Sequence, residues 1–190
     1  MVTSAIKESQ EIQARMPRPV IIVPYDPEWP RIYEEESRLI GSIVGSTIRS
    51  LEHMGSTSVP GLWAKPIIDI IASVYGHTDA ERCGVLLQPL GYSDASSGDK
   101  PDWYYCLGKG LHSPDFHFHL VKERSPFHEK HILFRDWLRA YPVDAEVYKE
   151  LKIRLAEKYR NDRVSYTDGK MEFINGIVEK AKKSRALRPS

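Results

Sequence analysis

The chain reads as an α+β domain: a small mixed β-sheet followed by a helical C-terminal half. Three observations predict this. Ile67-Ile68-Asp69-Ile70-Ile71-Ala72 is an apolar run broken by one acid, the pattern of a buried strand. Asp115 to Val121 alternates, with Phe116, Phe118 and Leu120 on one face and Asp115, His117, His119 and Val121 on the other. Beyond Ser125 the chain reads as helix, in three segments separated by Tyr141-Pro142 and by Asn161–Thr167. At 190 residues the simplest organisation is one domain with a core that needs no staples.

Residues 1–19 form a polar N-terminal arm ending in Pro17-Arg18-Pro19, and residues 20–185 form the domain. Val20 to Val23 is a short strand or a packed extended lead-in. Tyr25-Asp26-Pro27-Glu28-Trp29-Pro30 is turn chemistry, with Asp26 as cap of the next helix. That helix runs from Pro30 to about Val44, with Ile32, Tyr33, Leu39, Ile40 and Ile43 inward and Glu34, Glu35 and Glu36 in water. Thr47 to His53 is a strand. After the strand Ile67–Val74, Asp79 caps a helix ending near Gln88-Pro89. Tyr92 to Pro101, rich in Ser, Gly and Asp, is a loop. Asp102 to Leu107 and Asp115 to Val121 are two further strands, joined through Gly108 and Gly110.

Composition excludes several classes. Hydrophobic residues make up 41% of the chain, which is globular rather than disordered, and the net charge of +1 carries no footprint for nucleic acid or an acidic membrane. Two cysteines, Cys83 and Cys106, suit a reducing interior. Lys7, Glu8, Glu11 and Arg15 make the first twenty residues unlike a signal peptide, and no apolar run is long enough to span a membrane. The expectation is a cytoplasmic protein.

The chemistry concentrates in Gly55-Ser56-Thr57-Ser58-Val59-Pro60-Gly61-Leu62 and the strand after it. A Gly-Ser turn opening a short helix presents N–H groups and hydroxyls to an anion. Asp69, in a buried strand, must be paired, protonated or metal-bound. A phosphate cradle followed by a strand-borne acid suits a metal–nucleotide site. Lys65, Lys152 and Lys170 are cations of the kind that neutralise phosphate. Arg135 and Arg139, four residues apart, brace the helical half against acids such as Asp136, Asp144 and Glu146, and Trp137, Tyr148 and Tyr159 read as core.

These segments resemble the GrpB family, a group placed in the polymerase-β-like nucleotidyltransferase superfamily. The resemblance rests on Tyr25-Asp26-Pro27-Glu28-Trp29-Pro30, on Glu52-His53-Met54 with the Gly55–Leu62 segment, and on Lys65-Pro66-Ile67-Ile68-Asp69-Ile70. It continues in His117-Phe118-His119-Leu120-Val121, in Phe134-Arg135-Asp136-Trp137-Leu138-Arg139, and in Tyr166-Thr167 followed by Lys170. It implies a mixed sheet of the nucleotidyltransferase type. It also implies an enzyme acting on a nucleotide or other phosphate-containing small molecule with a divalent metal, Mg²⁺ or Mn²⁺. Gly55, Ser56, Thr57, Ser58, Lys65 and Lys170 would bind phosphate, and Asp69 would hold metal.

The chain departs from the superfamily pattern in two places. The partner of Asp69, two residues earlier on the strand, is Ile67, which cannot ligate metal. Where a neighbouring strand would carry a third acid, this chain offers His117 and His119. Imidazole suits Zn²⁺ or another transition metal better than magnesium. Asp69, His117 and His119 are therefore candidate metal ligands, and Asp69, His119 and His53 candidate catalytic groups. The alternatives are acid–base machinery beside bound phosphate, a binding module without transfer chemistry, or a condensation or hydrolysis using His53 and His119.

Overall fold

The structure is a computed structural model and describes residues 19–95, 105–110 and 115–186. Its sheet is built from β1 (Ile48–Met54), β2 (Ile67–Val74), β3 (Ser93–Asp94), β4 (Tyr105–Lys109) and β5 (Asp115–Lys122), in the order β1-β2-β5-β4-β3. Neighbours are antiparallel except β2 and β5, which run parallel and need a crossover between them. Helices α1 (Trp29–Val44) and α2 (His77–Leu86) pack on one face. There Ile68, Ile70, Ala72 and Val74 of β2 meet Phe118 and Leu120 of β5 beneath Trp29, Ile40, Val44, Ala80 and Cys83.

The other face carries Met54, Ile71 and Val121, covered by Phe127 and Ile132 of α3 (Pro126–Ala140). Because both faces are covered, β2 is apolar almost throughout, and its one acid stands out. The chain continues through α4 (Pro142–Lys158), α5 (Arg163–Asp168) and α6 (Met171–Ala186). Val59 and Leu62, after the Gly-Ser turn, pack with Leu138 of α3 and Tyr148 of α4, joining the turn to the helical half. The lead-in is extended, with Val23 paired to Ala64 in a single antiparallel bridge.

Several expectations are corrected. The buried stripe of α1 is Trp29, Glu36, Ile40 and Val44, whereas Leu39 and Ile43 are 49% and 36% exposed. Glu36 therefore sits on the inward stripe rather than in water. Its carboxylate accepts from Lys109 Nζ at 2.7 and 2.8 Å and from the Tyr92 hydroxyl at 3.0 Å, so the buried charge is paired. Asp26, two residues too early, accepts from the Glu28 amide, and Glu28 holds the cap position. Gly76, not Asp79, caps α2, with Asp79 in its first turn. Asn161–Thr167 is not a plain break, because Asp162 caps the short helix α5 by accepting from the Ser165 amide. Gly108 belongs to β4, and β3 opens the stretch read as loop. Residues 96–104, which hold the rest of that loop and the start of the predicted strand, lie outside the described residues, as does the arm over 1–18.

Removing one partner of a buried pair leaves the other charge uncompensated. Glu36→Ala is expected to destabilise the fold by about 2 kcal/mol, less than a fully buried pair because Lys109 is partly solvated. Chemical denaturation measures this, and an unchanged midpoint would show that the pair contributes nothing.

Candidate functional site

Strand register builds the centre of the site. In the parallel β2–β5 ladder Asp69 lies opposite His117, and Ile71 opposite His119. Period-two geometry puts Asp69, His117 and His119 on the face covered by α3. His117 Nδ1 is 3.4 Å and His119 Nε2 3.5 Å from Asp69 Oδ1. One ligand atom from each of the three residues falls within 4.8 Å of the others. Burial pushes the Asp69 carboxyl up, but the His117 and His119 imidazoles beside it outweigh that and hold the group well below the ordinary carboxylate range.

The Gly-Ser turn closes over this acid. Met54, the last residue of β1, pairs with Asp69, and the chain then bends at Gly55 with φ 72° and ψ −173°. A Cβ on Gly55 would lie 2.4 Å from Asp69 Oδ2. The three hydroxyls that follow divide their work. Ser56 Oγ faces the cavity and accepts from Lys152 Nζ at 3.0 Å. Thr57 Oγ1 donates to the Ile67 carbonyl at 3.0 Å, and Ser58 Oγ donates to the Gly55 carbonyl at 2.6 Å. The Thr57 and Ser58 hydroxyls thus hold the turn shut, although Thr57 also lines the cavity described below.

His53 is also placed elsewhere. It pairs with Ile70, so its side chain lies on the face opposite Asp69, stacked on Tyr33 of α1 with ring centroids 4.6 Å apart. Thr57 has spent its one proton on Ile67, so the His53–Thr57 contact of 3.0 Å requires His53 Nε2 to donate. Burial draws its pKa down to about 4. His53 is a neutral structural brace for the turn, outside the Asp69 cluster.

A cavity of about 500 Å³ lies between the sheet and the helical half. Gly55, Ser56, Asp69, His117 and His119 form its sheet side, and α3, α4, α5 and α6 its other walls. Lys65, Lys130, Lys152 and Lys170 all line it, and among the described residues Asp69 is the one carboxylate in its lining. Lys65 and Lys170 stand over the Tyr166 ring at 5.6 and 4.5 Å from its centroid, and Lys152 lies 4.7 Å from that of Tyr148. Lys152 also donates to the Trp63 carbonyl, and Lys130 to Asn175. Among the described residues no carboxylate pairs with Lys65, Lys152 or Lys170. Burial lowers all three first, and repulsion adds to it, from Arg163 on Lys65, from Lys170 and Lys65 on Lys152, and from Lys65 on Lys170: Lys170 falls to about 8 and Lys152 well below its ordinary value.

Sequence reading missed part of this lining. Phe127, Lys130, His131 and Phe134 reach the cavity from α3, and their i, i+3, i+4, i+7 spacing is the signal that exposes one helix face. His131 Nδ1 is 2.7 Å from the Phe127 carbonyl, to which it donates, and burial lowers its pKa to about 4. Arg135 and Arg139 bolt α3 to the turn rather than to the acids of the helical half. Arg135 binds Glu52, Asp136 and the His53 carbonyl, and Arg139 donates twice to the Ser58 carbonyl. Asp136 is the one expected partner that holds. Asp144 instead accepts from Trp137 and Lys180, and Glu146 pairs with Lys149. Tyr148 is buried as expected of core, and it also lines the cavity. Among the described residues no helix is long and apolar enough to cross a membrane.

Comparison with known proteins gives this arrangement its relatives. The family model described as GrpB protein matches residues 19–180. The UPF0157 protein BH1888 of Halalkalibacterium halodurans is 33% identical over 180 residues, covering 92% of this chain and 91% of that one. The glutamate-rich protein GrpB of Alkalihalophilus pseudofirmus is 34% identical over 164 residues, covering 84% and 94%. The crystal structure of the conserved protein GrpB from Enterococcus faecalis superposes with a TM-score of 0.76 at 30% identity, covering 87% of this chain and 99% of that one. Its likeness supports the mixed α+β fold, with a five-stranded sheet and a helical C-terminal half. By family model, relatives and fold together, the chain belongs to the GrpB family.

Proposed function

We propose that this protein is a metal-dependent enzyme acting on a phosphate-containing small molecule, with a nucleotidyltransferase-like site. The carrying observation is that three lysines without carboxylate partners among the described residues share one cavity with the Asp69–His117–His119 cluster. Buried cations without acids want an anion, and a phosphate supplies it. Lys65, Lys170 and the Ser56 hydroxyl would hold that anion, with Lys152 fixing Ser56. Asp69, His117 and His119 would hold the metal, and their two imidazoles favour Zn²⁺ or another transition metal over Mg²⁺. A metal bound there supplies Lewis-acid polarisation of a phosphoryl oxygen. Ile67 occupies the position of a second strand acid, so the reading is for a single metal.

Elemental analysis and a thermal-shift panel test this reading. One transition-metal ion per chain, and a melting point raised by pyrophosphate or nucleoside triphosphates, are the expected results. Lys65→Met should reduce the shift. Protein that binds no divalent ion and shows no shift with any phosphate compound would refute it. The second reading, a binding module without turnover, is favoured by Ile67 alone, and predicts the shifts without product.

The lysines also give the anion affinity a pH dependence. A bound anion favours the charged ammonium and raises the Lys170 pKa from about 8. Binding therefore takes up a proton above that value, and pyrophosphate affinity should fall as the pH rises from about 7 to about 9. Calorimetry in buffers of different ionisation enthalpy reads both effects. A flat affinity with no proton uptake would take Lys170 out of the anion site.

A further inference from the structure

We infer that Lys170 is a nucleophilic amine that forms an imine with a small aldehyde or ketone carrying an anionic group. The inference rests on the anion-holding role proposed above for Lys65, and it assigns Lys170 a covalent role beyond charge neutralisation.

The four cavity lysines are not equivalent. Lys152 donates to Ser56 and the Trp63 carbonyl, and Lys130 donates to Asn175. For Lys170 the described contact of the ammonium is the face of Tyr166. Tyr166 offers no counter-charge, because burial raises its phenol pKa above its already high ordinary value. Lys65 stands over the same ring, and Arg163 adds a further positive charge nearby. Lys170 also directly precedes α6, a helix of 16 residues whose N-terminal amides carry positive partial charge. Burial, Lys65 and Arg163 disfavour the ammonium, against the attraction of the Tyr166 ring face and of Asp69, whose effect is smaller than that of burial and of Lys65. Desolvation beside a second cation is a known physical route to a reactive lysine at neutral pH. Burial and the Lys65 charge together bring its pKa down to about 8, leaving a useful fraction as free amine.

The step balances without any co-reactant. The Nζ lone pair attacks the carbonyl carbon, forming a C–N bond as the C=O π pair moves to oxygen. Both N–H protons pass in turn to that oxygen, the first giving the carbinolamine, and water leaves as the nitrogen lone pair forms the C=N bond. Nothing is oxidised or reduced. Lys65, on the same aromatic ring, would hold the anionic group of the carbonyl compound.

Pyridoxal phosphate, an aldehyde with a phosphate, is the direct probe, and pyridoxal is the control that lacks the anion. Each is incubated with the full chain, reduced with borohydride, and located by peptide mass spectrometry. Expected is one dominant label on Lys170, formed about tenfold faster with pyridoxal phosphate than with pyridoxal, and suppressed by pyrophosphate. Mapping on the wild-type chain identifies the lysine without relying on a variant, and Lys170→Arg should remove the dominant label in a chain whose circular dichroism spectrum matches the wild type. Labels spread over surface lysines, or centred on Lys65 or Lys152, would overturn the inference. A pyrophosphate shift without a Lys170 label fails this inference alone. A Lys170 label that pyrophosphate does not suppress supports the amine and fails the anion reading instead.

Discussion

Gly55→Ala is expected to abolish metal binding at the Asp69 cluster and to destabilise the fold by about 3 kcal/mol. Two effects combine. With φ 72° and ψ −173°, Gly55 occupies backbone space that essentially only glycine adopts. The added methyl would also sit 2.4 Å from Asp69 Oδ2 and 3.0 Å from Asp69 Cβ. The carboxylate must then swing away from His117 and His119, and the three-ligand set is lost. Gly61→Ala is the control. Gly61 also has a positive φ, 78°, but a Cβ there meets nothing within 4 Å. It should lower stability by about 1 kcal/mol through backbone strain and leave metal binding intact. Equal metal affinity in Gly55→Ala and wild type would show that the turn does not position Asp69.

Asp69→Asn should lower metal affinity at least about 100-fold, since even changes in the residues supporting a ligand often reach that size. The substitution keeps shape and removes charge, so the circular dichroism spectrum should be unchanged. Its pH signature follows from the His117 and His119 imidazoles beside the carboxylate. They hold the folded-state pKa of Asp69 below the ordinary carboxylate value. The carboxylate's contribution to stability is then complete above the ordinary value and lost as the pH falls through the folded one. Wild type and variant should differ at mildly acidic pH and converge in strong acid. Metal affinity unchanged in a folded Asp69→Asn protein would make Asp69 structural.

Much of the architecture was legible because strands and helices announce themselves by period. The β5 alternation placed His117 and His119 on one face, and the acid in β2 marked the site. What was not legible was partnership across the fold. Glu36 reads as one of three solvated acids, yet Lys109, 73 positions away, makes it an inward residue. His53 sits one residue from a correct placement, and in a strand one residue is the whole difference between two faces. The hydroxyls of Thr57 and Ser58 look identical to that of Ser56 in sequence. Only the carbonyls of Ile67 and Gly55 decide that they face inward to the turn. Lys130 of α3 looks like ordinary helix surface in the sequence, because the cavity it shares with Lys152 of α4 forms only once the helices pack against the sheet.

The cavity is a seam between two layers with different mechanics. Asp69, His117 and His119 belong to adjacent hydrogen-bonded strands, so their spacing is set by a ladder that loosens only with the sheet itself. Lys152, Tyr166 and Lys170 belong to the helical half, whose grip on the sheet runs through side-chain packing and the bolts at Arg135 and Arg139. A ligand touching both layers would act as a rivet across the seam. Its binding should therefore register in hydrogen exchange as slowed opening of α4 and α6, while the amides of β2 and β5 exchange at nearly their former rate.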